Sequence, residues 1–509
     1  MTASHSAGSA HSPVERRLGV PAIVFLIIAA SAPLTVVAGG ATSAFSVTHV
    51  LGIPFSYIIL AAALAIFAIG YAAMSRFITN AGAFYAYVAQ GIGRPVGVGA
   101  AILAFVSYNA MQVGIWGMFG FQISSFIAGK TGVETPWWVW IFVGIIVVGF
   151  MGTRQIDFSV KVIGVLVALE FVVVIVFDIV SFADPAAGFS AAPISPSALF
   201  VPGIGAVLAF GIAAFMGFES GAIYGEEARD PRRTIQRATF IAVGIIGLFY
   251  AVSTWALSLA IGPDKITAVD GITPEEAGPP LFFNAMAAHL GEIGVDIASL
   301  LFITSLFAAL ISFHNAVARY AFSLGREGVL PQRLAKVRHG GAPVAGSLLQ
   351  TVIAVVVVLG FVLAEPSWNP ELGPYPVITL FTWLTNLGAF GLVLLMALAS
   401  LAVIGYFRKD PRDVGLISRV IAPAVAFLAL ATIWMLILSN WDVLLGQPEP
   451  TSATVILPLV VLVPTVGAVI WGLWLRTARP AVYRQIGHGA ESGNAPHLGA
   501  PPSVDAAAR

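Results

Sequence analysis

An all-helical integral membrane protein is what this sequence predicts, and three observations predict it. Of the 509 residues, 58% are hydrophobic and only 10% are charged, where a soluble chain of this length carries roughly a quarter charged residues. The apolar residues come in blocks of about 20, the helix length that crosses a hydrocarbon core of roughly 30 Å. The basic residues gather in alternate connecting loops, the signature of helices threaded through a bilayer. A barrel is excluded, because its strands would alternate apolar and polar over about 10 residues.

Twelve spans follow in order, at 20–45, 53–74, 96–128, 136–151, 162–179, 201–224, 238–261, 295–323, 343–363, 377–407, 421–438 and 453–475. The third, eighth and tenth outrun the bilayer and are read whole, as tilted helices. Under this threading all but Lys130 and Lys265 of the 25 Lys and Arg residues fall on one side. The opposite loops carry Asp184, Asp264, Asp270, Glu275, Glu276, Glu365, Glu371 and Glu449. The excess of basic residues marks the cytoplasmic side and places both termini there. Arg16 and Arg17 ahead of an apolar run imitate a signal peptide, but that run continues to Val37, too long for a signal h-region.

Two segments differ from ordinary spans. The first carries Ser31-Ala32-Pro33-Leu34-Thr35 and then Gly39-Gly40, and Pro33 removes an intrahelical hydrogen bond. The sixth carries Gly211, Gly217 and Gly221 around Glu219, a carboxylate at membrane depth. Ionisable groups there are costly and normally face a cavity or a protein partner. These breaks are five helices apart. Five being odd, the two segments cross in opposite directions, as an inverted repeat of five plus five helices requires. The chain therefore divides into an N-tail (1–18), a first repeat (19–181), a second repeat (198–407), two extra helices (417–476) and a C-tail (477–509). Both tails are expected to be disordered. The loop 79–95 is expected as a short amphipathic helix at the cytoplasmic face, 324–331 repeats that behaviour, and Asp230-Pro231 reads as a helix start.

Three strings carry a family resemblance. They are Phe215-Met216-Gly217-Phe218-Glu219 followed by Glu226-Glu227-Ala228-Arg229-Asp230-Pro231, then Arg319 with Gly325-Arg326-Glu327-Gly328-Val329-Leu330-Pro331, and Thr79-Asn80-Ala81-Gly82-Ala83-Phe84-Tyr85. With them the chain resembles the amino acid–polyamine–organocation permeases, whose fold is the LeuT-type five-plus-five repeat. The resemblance implies secondary transport of amino acids or related amines by alternating access. It implies a substrate carboxylate on backbone N–H groups of Ser31, Ala32, Pro33, Leu34 and Thr35, and an amino group against sixth-helix carbonyls around Ala213, Ala214 and Met216, beside Gly217. Phe215 would be the aromatic lid. The chain departs from the family where Pro-Leu-Thr stands in place of Gly-x-Gly, since Pro33 has no N–H. It departs again on the fifth helix, where Lys161 lies at the cytoplasmic end and the buried ionisable group is Glu170.

Glu219 is the leading candidate for the proton carrier or an amine-binding carboxylate, and Glu170 the second candidate for proton coupling. Their plain alternative is a hydrogen bond that holds helices together. Asn109 and Gln112 read as interhelical glue rather than cavity lining, and Thr304, Ser305 and Ser312 as packing rather than a sodium site. His314 has no second His at metal spacing. Trp383 and Asn386 are candidates for the outer gate, and Arg319 for the inner one through Glu226 or Glu227. No cofactor or metal is expected. The expected partners are a small amino acid or amine, a coupling proton and the bilayer, in a monomer or homodimer; zero net charge gives no pointer to nucleic acid. The absence of Cys removes disulfides, thiolate chemistry and Cys-based metal sites. An intramembrane enzyme would need a nucleophile–base pair or a metal cluster, and no such pattern is present. Exchange of one amine for another, and a non-transporting sensor of the same fold, remain as alternative readings.

Overall fold

The computed structural model describes residues 19–78, 84–154, 160–219, 231–268, 270–336, 343–446 and 450–487. Eleven helices among the described residues are long and apolar enough to cross a membrane. In chain order they are Val20–Thr48, Ile53–Ser75, Arg94–Thr131, Trp137–Arg154 and Gly164–Ala183, then Thr234–Ile261, Pro279–Arg326, Val344–Ser367, Pro376–Lys409, Ile417–Ser439 and Ser452–Ala478. A shorter apolar helix, Ile204–Phe215, stands where the sixth span was expected. Counting it in its place, these are called the first to twelfth helices below.

The expected long sixth span is thus corrected within the described residues. Its helix stops at Phe215, because Met216 turns extended (ψ 133°) and Gly217 takes φ +107°, a conformation only glycine adopts without strain. The eighth helix also differs from the expectation. It starts at Pro279, well before 295, and is divided by Gly291 at φ +67°. The loop helix after the second span is present as Phe84–Gly91, but it is buried rather than laid on the surface, with Phe84 and Tyr85 fully covered. Pro231 begins the seventh helix, Pro231–Ile261, as expected; Asp230 lies outside the described residues.

The third helix forms the axis of the bundle and packs against the fourth, eighth, tenth and twelfth. Its small residues allow this. Gly114 and Gly117 face the tenth helix at Thr385, Leu380 and Pro376, with no room for a Cβ. The outer surface is apolar, with Ile146, Leu248, Val463 and Ile470 all more than half exposed, a belt suited to lipid. The two lysines of the acid-rich side are both paired, Lys130 with Asp296 (2.6 Å) and Lys265 with Glu276 (2.8 Å). The Lys265 pair holds the Glu276 carboxyl below its usual range.

Backbone contact is closest where the sixth helix meets the eleventh. A Cβ at Gly205 would stand 1.9 Å from the carbonyl oxygen of Leu436, so backbone and not a flexible side chain would have to yield. Gly205→Ala is expected to cost about 1–3 kcal/mol by overpacking. A thermal midpoint in detergent unchanged from wild type would contradict this.

Candidate functional site

The site grows from the two helix breaks. The first helix ends its outer-numbered half at Ala30, where Ser31 caps it. Ala32 takes φ +46°, strained for a residue with a Cβ. Helical structure resumes at Pro33 and continues as a π-helix over Thr35–Ala41. Pro33 therefore starts a helix, where its missing N–H costs nothing, and the non-helical turn, at Ala32, falls within the Ser31–Thr35 stretch singled out from the sequence. Gly217 of the sixth helix fits against Ala30, at 3.2 Å for a built Cβ. The two breaks lie side by side.

Between them is a cavity of about 50 Å³, room for a few waters. Ser31, Ala32 and Thr35 of the first break and Ala213, Ala214 and Met216 of the sixth line it. The rest of the wall is apolar apart from Thr385, with Met111 and Ile115 on the third helix, Phe313 on the eighth and Phe381 on the tenth. The structure thus brings together six of the residues singled out from sequence. Met111, Phe313 and Phe381 were missed, because nothing in an apolar helix marks which of its faces meets a cavity.

The donors of the first break are already engaged. The N–H of Ser31 bonds to Ile27 and Ile28, and that of Ala32 to Ala29. Leu34 N–H donates to Glu170 Oε2 (3.2 Å), and Ser305 Oγ donates to the same oxygen (2.9 Å). Thr35 Oγ1 donates in turn to Ser305 Oγ (3.0 Å). Glu170 and Ser305 border a second cavity of about 160 Å³ beside Ala32. Tyr250 OH donates to Ser31 O (3.0 Å). The carboxylate cradle expected at Ser31, Ala32 and Leu34 is closed in this conformation.

Several expectations are corrected. Phe215, expected as the lid, is 1% exposed and packed against Tyr57 and Tyr250, each ring at 6.3 Å, and does not line the cavity in this conformation. Glu219 does not line the cavity either. Its Oε1 accepts from Tyr108 OH and its Oε2 from Gly217 N–H (3.0 Å), so the carboxyl folds back to fasten its own unwound turn. Trp383 donates its indole N–H to Leu445 O (3.1 Å) and packs on Phe361 and Trp368, away from the wall formed by Phe381 and Thr385. Ser312 is exposed and cannot join Ser305. Arg319 is exposed, and its expected partners Glu226 and Glu227 lie outside the described residues. Gln112, expected as interhelical glue, accepts from Gln350 (2.6 Å) and ties the third helix to the ninth, whereas Asn109, expected in the same role, returns its Nδ2 to Phe105 O of its own helix. Asn386 Nδ2 returns likewise to Thr382 O, and His314 meets Ser347 (2.7 Å). Among the described residues there is no group of three or more His, Cys, Asp or Glu placed to hold a metal.

The sequence that builds these two broken helices has relatives among known proteins. The profile of the amino acid permease family matches residues 18–472. The chain belongs to the amino acid permease family. It is 25% identical over 338 residues to the branched-chain amino acid permease BcaP of Lactococcus lactis subsp. cremoris (strain MG1363), covering 60% of this chain and 68% of that one. It is 28% identical over 237 residues to the lysine-specific permease LysP of Escherichia coli (strain K12), covering 43% and 47%. An uncharacterised transporter of Mycobacterium tuberculosis (strain ATCC 25618 / H37Rv) shares 25% over 358 residues, 64% of this chain and 70% of that one. The permease is thus a multi-pass membrane transporter of amino acids.

Proposed function

We propose that the permease carries a neutral, apolar amino acid by alternating access, with proton-coupled symport through Glu219. The cavity carries this reading. Its side-chain wall is Met, Ile, Val, Phe and Ala with only Ser31, Thr35 and Thr385 polar, and Glu219 is turned away from it. A cationic substrate would be left facing an apolar wall, at a desolvation cost of several kcal/mol. BcaP, a branched-chain amino acid permease, agrees with an apolar side chain, and LysP, a lysine-specific permease, with a basic one.

Twelve helices in a LeuT-type inverted repeat, with both termini cytoplasmic, form the framework of this reading. Breaks in the first and sixth helices, five apart, support it, as do the long third and eighth. The chamber is bordered by helix ends of opposite polarity. Carbonyls at the end of the sixth helix suit an ammonium group, and the half-helix that starts at Pro33 presents its positive end to a carboxylate. Leu34 N–H is the donor there, and Glu170 occupies it in the described state. Substrate entry therefore requires the first break to shift, since the present cavity is too small for an amino acid. Glu219, bonded to the unwound turn of the sixth helix, is the proton-carrying group in this scheme. Glu170, the second candidate, positions the first break.

The test is uptake into liposomes holding the purified protein, across a panel of labelled amino acids and polyamines with a proton gradient, a sodium gradient or neither. Accumulation of apolar amino acids driven only by inward proton flow is the expected result. Flux that needs only internal substrate makes the protein an exchanger, and no flux from folded protein supports a sensor. Ala214→Phe, which fills the chamber, is expected to lower uptake at least about tenfold, the effect of roughly 1.4 kcal/mol, without loss of folded protein. Unaltered uptake in that variant would place the substrate elsewhere.

A further inference from the structure

A polar cleft that shares no lining residue with the chamber lies on the face that carries most of the basic residues. The segment after the twelfth helix folds back there as a short helix, Pro480–Gln485, followed by Ile486 and Gly487. It is docked with care. Ile486 is 1% exposed. Gly487 N–H donates to Glu327 Oε2 (3.2 Å), and its carbonyl accepts from Gln90 Nε2 (3.1 Å). Glu327, at the end of the eighth helix and fully buried, also accepts from Tyr85 OH (2.7 Å). From Tyr85 a file of rings runs inward through Tyr320 (6.5 Å) and Tyr108 (5.5 Å further), and Tyr108 holds Glu219. A line of contacts thus joins the segment to the sixth-helix break.

One side of this segment forms a cleft of about 440 Å³ with the end of the tenth helix and the start of the third. Arg94, Lys409 and Arg412 enter it against one carboxylate, Asp410, which pairs with Arg412 (3.1 Å). Arg94 lies over the Tyr483 ring (5.4 Å), and Lys409 Nζ donates to Gln90 O (3.3 Å). Arg94 and Lys409 thus grip the docked segment and its support while leaving their charges to the cleft. Guanidinium and ammonium groups converging on one space suit the oxygens of a phosphate group.

We propose that this cleft binds a phosphate-bearing anion, and that the bound anion pins residues 480–487 across the Glu327–Tyr85 contact. A phospholipid headgroup and a soluble phosphate or nucleotide share this chemistry. Pinning the segment restrains the helix ends that must part before the chamber opens to this face.

The protein has no cysteine, so Ile486→Cys supplies a single thiol, buried when the segment is docked. Its reaction with a maleimide reports undocking. The full chain would be placed in nanodiscs of phosphatidylcholine alone, of phosphatidylcholine with phosphatidylglycerol, or of phosphatidylcholine with inorganic phosphate or ATP in the buffer. Binding to the docked form alone slows labelling about tenfold at ten times the dissociation constant. Slowing by phosphatidylglycerol identifies the lipid source, and slowing by ATP or phosphate the soluble one. The slowing is expected to vanish in an Arg94→Gln/Lys409→Gln background. Lys409→Gln alone, at an exposed side chain, serves as the variant if the pair fails to fold. Equal labelling in all four conditions, or slowing that survives in either variant, overturns the proposal.

Discussion

Replacing Glu219 with Gln is expected to reduce proton-driven accumulation at least about tenfold while leaving exchange of substrate across the membrane in place. The geometry explains the split. Gly217 N–H can only donate, so the oxygen facing it must accept, and a Gln carbonyl does that as well as a carboxylate. The second oxygen faces Tyr108 OH, a group that both donates and accepts. Gln therefore reproduces the neutral carboxyl, with its amide donating to a turned Tyr108 hydroxyl, and keeps the unwound turn at Gly217 fastened. What it cannot do is release a proton. Glu219→Ala removes both acceptors and leaves Gly217 N–H buried and unpaired, at about 1–3 kcal/mol, so exchange should fall as well. Counterflow and pH-gradient uptake, measured on the same liposomes for both variants, separate these outcomes. Full proton-driven accumulation in Glu219→Gln would remove the residue from coupling.

The helices were legible because burial in lipid leaves a uniform mark: about 20 apolar residues, with Lys and Arg at one set of ends. The first break was legible too, since Pro33 and the nearby glycines interrupt an otherwise apolar run. Which residue of that stretch takes the strained turn was not. Pro33 disfavours helix for the residue before it, and this puts the strained turn at Ala32 rather than at Pro33. The sixth break was marked by Gly217 and Glu219, yet the direction of each side chain was beyond the pattern. Glu219 turns to Tyr108, a partner 111 positions away, and Phe215 turns to Tyr57 and Tyr250. Three-dimensional neighbours decide such orientations, and one chain of apolar letters does not record them. For the same reason the chamber's Phe313 and Phe381 were indistinguishable from packing residues.

Glu170 poses the contrasting case. Both of its recorded donors, Leu34 N–H and Ser305 Oγ, converge on a single oxygen, Oε2. A Gln carbonyl placed there accepts both, and the residue borders a cavity of about 160 Å³ with room for water to satisfy the amide. Glu170→Gln should consequently keep the first-helix break in place and retain uptake that still follows the proton gradient. Glu170→Ala should not. It strands Leu34 N–H in a buried site, at about 1–3 kcal/mol, leaves Ser305 Oγ with only the bond it accepts from Thr35, and enlarges the cavity beside Ala32. Uptake is expected to drop at least about tenfold, the equivalent of roughly 1.4 kcal/mol, with a lower thermal midpoint. The pair of variants also ranks the two carboxylates. If Glu170→Gln loses the response to the proton gradient and Glu219→Gln keeps it, the positioning and proton-carrying roles are exchanged, and Leu34 N–H becomes the donor that protonation of Glu170 releases to the substrate carboxylate.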